Sequence, residues 1–120
     1  MRRRTLWRSV LLASTLGGAC QELACKPARP PETPAELYLA YCARCHADDG
    51  RGARRQLERY PEADLTRSDM LARGDRAAVL ARVAKGFGPM PAFDTKLAPG
   101  EIEKVTDFVL ALGTAQREGS

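Results

Sequence analysis

From Thr33 onward the apolar residues recur at helical spacing, and no segment alternates with period two over any length. Leu37, Tyr38 and Tyr41 share one broad side of a first helix, and Cys45 follows one turn beyond Tyr41. Its start is well marked: Thr33 is placed as N-cap, Pro34 as the first helical residue, and Glu36 closes a capping box. Val79, Leu80 and Val83 give Arg76 to Lys85 an apolar face, with Asp75 as its cap and Gly86 as its stop. Ile102, Val105, Phe108, Val109 and Leu112 form a clean stripe on a last helix, from about Pro99 to Leu112, with Gly113 after it. Ser68 to Arg73 reads as a shorter helix stopped by Gly74. Arg54 to Arg67, broken by Pro61, fits no single element. Ala47 to Gly52 reads as a turn, and Phe87–Gly88–Pro89–Met90–Pro91–Ala92–Phe93 as a loop that presents its side chains. The predicted fold class is therefore all-α, a bundle of about four helices with long loops.

The first residues read differently. Arg2, Arg3, Arg4 and Arg8 form a basic start, and Val10 to Ala19 is a short apolar run ending in small residues. This is the plan of a secretory signal, placed at 1–19. The run is too short for a membrane span, which needs about 20 apolar residues. Arg3–Arg4 loosely resembles a twin-arginine signal, although an ordinary basic n-region accounts for it. Residues 20–33, with Pro27, Pro30 and Pro31, form a stiff extended tether. The domain spans 34–114, and 115–120 reads as a loose tail. The chain has 19 Lys and Arg against 15 Asp and Glu. The four signal arginines carry that excess, so from Cys20 onward the balance is 15 against 15. No basic surplus remains to argue for nucleic acid as a partner.

A domain of this length has a thin core, and only six aromatic residues lie beyond the signal. A buried flat macrocycle would fill that deficit. Cys42–Ala43–Arg44–Cys45–His46 supplies the means, because positions i, i+3 and i+4 of a helix share one face. Two thiols there can form thioethers to the edge of a haem, and the adjacent imidazole can reach its iron. His46 is the only histidine in the chain. Zinc would need a fourth ligand from Cys20, Cys25 or a carboxylate. A thioredoxin-like pair would need a strand before the motif, where a helix is predicted. A plain disulfide would leave His46 beside it by chance. With no second histidine, Met90 is the best sixth ligand, held between Pro89 and Pro91. Met70, on the Ser68–Arg73 helix, is the fallback and reads as ordinary packing.

In order and spacing, residues 34–113 resemble a class I cytochrome c domain. A short helix leads into Cys42–His46, a glycine-containing loop follows (Asp49–Gly50–Arg51–Gly52), then Pro61–Glu62–Ala63–Asp64–Leu65–Thr66, a helix, Gly88–Pro89–Met90–Pro91–Ala92–Phe93, and a final amphipathic helix. The resemblance implies one covalent haem c with Met90 opposite His46. It implies that Tyr38 crosses the last helix near Val105 and Phe108. It implies that the Pro61 carbonyl meets the free ring N–H of His46, and that Leu65 and Phe93 pack on the macrocycle. Ala47 stands where many relatives have glycine, a departure that bears on the loop path.

Histidine and methionine together leave no open iron position, which suits a single-electron carrier working by outer-sphere transfer to a redox protein. Two other functions are carried alongside: a haem gas sensor or peroxidase-like catalyst with a displaceable sixth ligand, and an electron-delivery subunit of a larger redox enzyme. No set of catalytic side chains argues for independent enzyme activity. The expected location is exported and periplasmic. Leu16–Gly17–Gly18–Ala19–Cys20 resembles a lipoprotein signal, with Leu16 one place too far upstream. A lipid on Cys20 would tether the domain to a membrane; the alternative is a small disulfide loop between Cys20 and Cys25.

Overall fold

The computed structural model describes residues 29–119. The signal (1–19), most of the tether, Cys20 and Cys25 lie outside the described residues. Six α-helices follow one another: α1 (Pro34–Tyr41), α2 (Ala43–His46), α3 (Arg54–Leu57), α4 (Asp69–Ala72), α5 (Arg76–Lys85) and α6 (Pro99–Glu118). Two 3₁₀ turns, Pro61–Ala63 and Leu65–Arg67, lie between α3 and α4. The only β feature among the described residues is an isolated bridge between Phe87 and Met90. The fold is all-α, as the apolar spacing predicts.

The caps form where the sequence places them. Glu36 N–H donates to Thr33 Oγ1 at 3.2 Å, and Glu36 Oε2 accepts from Thr33 N–H at 2.9 Å, a complete capping box at the head of α1. Asp75 Oδ1 accepts from Ala78 N–H at the head of α5, and Gly86, with φ of 71°, terminates that helix. Ser68 Oγ accepts from Leu71 N–H at the head of α4.

α6 packs across α1, α4 and α5, and the core lies between them. Leu37, Tyr38, Val105 and Thr106 are fully buried, with Leu71, Val79, Val83, Phe93, Leu97, Ile102 and Val109 around them. Each fully buried Leu or Val contributes roughly 1.5–3 kcal/mol. The Tyr38 ring lies 5.2 Å from that of Phe108, the crossing that the resemblance implies. Arg76 clamps α5 to α6 by gripping Asp107 at 2.6 and 3.2 Å.

Two expectations about the elements need correction. The first helix does not run unbroken into the cysteine motif. Cys42 (φ −115°, ψ −39°) separates α1 from α2. Leu37 and Tyr38 of α1 are buried, while Tyr41 is partly exposed, with its ring 6.2 Å from that of Phe93. The last helix does not stop at Leu112, and residues 115–118 are its final turn rather than part of a loose tail. Gly113 is in the helix and buried against α4, where an added Cβ would lie 3.3 Å from Leu71 Cδ1. It marks a close approach of two helices, not a stop. The extra turn carries Arg117, whose guanidinium donates to the Leu71 carbonyl at 3.1 Å.

Candidate haem-binding site

α2, the 3₁₀ turns, α4, α5 and the loop after α5 enclose a cavity of about 280 Å³. Cys42, Cys45 and His46 line one side and Met90 is also in its wall. The bonds from Cys45 N–H and His46 N–H to the Cys42 carbonyl, both 3.0 Å, hold the three motif residues on one helical turn despite the break at Cys42. Both cysteines are free thiols. Burial, with a smaller part from Cys45, pushes the Cys42 thiol up to about 11, so it is neutral at ordinary pH.

His46 Nδ1 lies 2.8 Å from the Ala63 carbonyl oxygen. A carbonyl only accepts, so Nδ1 carries the proton and the Nε2 lone pair is free. That is the tautomer an iron ligand requires. The partner expected from the resemblance was the Pro61 carbonyl, and this is corrected to Ala63. The Pro61 carbonyl is taken within its own 3₁₀ turn by Asp64 N–H at 3.2 Å, whereas Ala63 ends the turn. Pro61 does not line the cavity; Leu65 and Phe93 do.

The chain beyond His46 is held firmly. Gly52 N–H donates to the His46 carbonyl at 2.9 Å, and Ala53 N–H to that of Cys45 at 2.9 Å. Ala47 has φ 59° and ψ 169°, and it is the one non-glycine residue with positive φ among the described residues. Such a conformation costs an ordinary residue on the order of 1–3 kcal/mol. The Tyr38 hydroxyl donates to the Ala47 carbonyl at 2.7 Å. Burial raises the Tyr38 phenol well above its ordinary range, so it remains a neutral donor.

Met90 sits on a closed turn: Phe87 N–H bonds the Met90 carbonyl and Met90 N–H bonds the Phe87 carbonyl, both at 3.0 Å. The loop's far end is tied back to α5 by Phe93 N–H to Ala84 O and Asp94 N–H to Ala84 O, both 3.1 Å. Gly86 is where the loop leaves α5. A Cβ there would collide with the Met90 carbonyl oxygen and lie 2.7 Å from the Pro91 carbonyl carbon. Met70, from α4, lines the same cavity, so the structure brings both methionines there.

Sequence reasoning missed several cavity residues. Gln56 Nε2 donates to Cys45 Sγ at 3.4 Å, and Tyr60 joins it in the wall. Both fall in the segment whose pattern fits no single element, so no periodic signal marks them. Arg82 also lines the cavity, with its guanidinium 4.2 Å from the centre of the Phe87 ring.

Two thiols, an imidazole with a free Nε2 and a thioether lining one largely apolar cavity are a donor set that fits a covalently attached haem. The class that the fold and site define is a monohaem class I c-type cytochrome domain with a single covalent haem c. Residues 29–109 match the family described as cytochrome c oxidase, cbb3-type, subunit III, and the chain belongs to that family. It is 34% identical over 95 residues to the cbb3-type cytochrome c oxidase subunit FixP of Azorhizobium caulinodans, covering 74% of this chain and 31% of that protein. It is 35% identical over 81 residues to cytochrome c6 of Nostoc, covering 68% of this chain and 69% of that protein. Cytochrome c6 of Microcystis aeruginosa is 32% identical over 77 residues, covering 64% of this chain and 90% of that protein. The chain thus spans about a third of FixP and most of the two cytochromes c6.

Proposed function

We propose that this chain is an exported single-electron carrier whose haem is fastened to Cys42 and Cys45, ligated by His46 and closed by Met90. The observation that carries the reading is that all four side chains line one cavity. When bound, the haem supplies a one-electron ferric/ferrous couple. Thioether bonds at Cys42 and Cys45 would keep the cofactor from leaving so small a domain. Ala63 fixes the tautomer and orientation of His46. Met90, on its closed turn, would supply its thioether to the iron and so leave no site for exogenous ligands. Leu65 and Phe93 line the cavity and would exclude water from the bound haem, which favours the less charged ferrous state.

The partner is a redox protein, and the protein acts in the periplasm after removal of residues 1–19. Lipid attachment at Cys20 would hold it to the membrane through the proline-rich tether. Both the signal and Cys20 lie outside the described residues. No helix among the described residues is long and apolar enough to cross a membrane.

The test is carbon monoxide binding by the reduced, matured protein. Wild type is expected to resist it. Met90→Ala is expected to bind it at once, while Met70→Ala behaves as wild type apart from a lower melting temperature. Immediate binding by wild type would favour the sensor or catalyst, and a gain of binding in Met70→Ala alone would move the ligand to α4.

A further inference from the structure

We propose that Tyr38 is a positioning residue for the axial imidazole: its hydroxyl holds Ala47 in the left-handed region and so fixes the direction in which the chain leaves His46. The inference rests on His46 being an iron ligand. Three observations carry it. Tyr38 is fully buried, so its hydroxyl cannot turn to solvent, and its bond to the Ala47 carbonyl is short at 2.7 Å. Ala47 adopts a conformation that is costlier for alanine than for glycine, so contacts outside the residue must hold it: its N–H donates to the Ala43 carbonyl at 2.8 Å, and its own carbonyl accepts from Gly50 N–H at 3.3 Å and, at a shorter distance, from the Tyr38 hydroxyl. Ala47 is joined directly to His46, whose ring Nδ1 lies 2.8 Å from the Ala63 carbonyl oxygen.

α1 thus grips the strained residue next to the ligand, while the Pro61–Ala63 turn grips the ligand itself. Without the hydroxyl, Ala47 relaxes toward negative φ, the end of α2 rotates, and the Nδ1–H bond to Ala63 lengthens. A weaker bond there makes the imidazole a poorer electron donor to iron, which disfavours the ferric state and raises the reduction potential. The relation between the three residues makes a further demand. If the strain at Ala47 is what the hydroxyl opposes, removing the strain should remove the need for the hydroxyl.

The experiment uses matured, haem-loaded protein in four forms: wild type, Tyr38→Phe, Ala47→Gly and the double variant. Reduction potential, melting temperature and the nitrogen-15 and proton resonances of His46 Nδ1–H are measured in each. Tyr38→Phe is expected to raise the potential and speed exchange of the Nδ1 proton. Ala47→Gly is expected to leave the potential unchanged. In the Ala47→Gly background, the shift caused by Tyr38→Phe is expected to fall by half or more. The proposal is overturned if Tyr38→Phe lowers only the melting temperature, with potential and Nδ1–H exchange as in wild type. It is also overturned if its potential shift is the same in both backgrounds. An Nδ1–H resonance of wild-type ferric protein without a hyperfine shift would overturn the axial role of His46 itself, and this is read separately from the response to Tyr38→Phe.

Discussion

Thr106 is buried completely, and its hydroxyl has no hydrogen-bond partner among the described residues. A buried unpaired hydroxyl costs about 1–3 kcal/mol, and valine has nearly the same shape. Thr106→Val is therefore expected to stabilise the domain by roughly 1 kcal/mol, which raises the melting temperature by about 4–8 °C at this size. A lower melting temperature would mean that the hydroxyl is paired in solution. At this scale the sequence was informative wherever side-chain chemistry carried the signal. Cys42, Cys45, His46 and Met90 were identified by residue type and spacing, and the cavity contains them all. The partner of His46 was misplaced because it is a backbone carbonyl. Every residue has one, and only the course of the 3₁₀ turn leaves that of Ala63 available rather than that of Pro61.

Among the elements, the capping signals were legible because they are local. The capping box at Thr33 and Glu36 and the Asp75 cap form as the residue order predicts. Gly113 was misread because its role is not local: it lets α6 approach Leu71 of α4, forty-odd residues away in sequence. The first cap has a pH signature. Backbone hydrogen bonds from Thr33 and Glu32 hold the Glu36 carboxyl down at about 2, against an ordinary 4.5. A lowered folded-state value means that the stabilisation is complete above the ordinary value and is lost as pH falls through the folded one. The melting temperature of wild type is expected to exceed that of Glu36→Gln above pH 4.5, and the gap to close as pH approaches 2. A gap that persists at the lowest pH would show that charge is not what the cap uses. The loop after α5 carries a second prediction. Gly86→Ala forces a Cβ into the Met90 and Pro91 backbone, at a residue whose φ is already 71°. The closed turn should open and displace Met90, and the reduced protein should then bind carbon monoxide as Met90→Ala does. If Gly86→Ala still excludes carbon monoxide, the loop holds its methionine by some other constraint.

For the molecule as a whole, the class of fold followed from apolar spacing, and the existence of a cofactor from a core too thin for its length. What the sequence did not reveal is how the cavity is closed. Gln56 and Tyr60 on α3 and the chain beyond it, and Arg82 on α5, complete the wall through contacts that no periodicity encodes. The whole chain is organised around that space: α6 supports α1 and α5, α1 leads into the motif, and α5 holds the loop opposite. The attachment is the claim on which the account depends most. Matured protein should be digested, extracted with acidified organic solvent, and its peptides weighed. The haem is expected to stay on the peptide containing Cys42–Ala43–Arg44–Cys45–His46 and to add its full mass there. Pigment that passes into the organic phase, leaving that peptide with two unmodified thiols, would contradict the account.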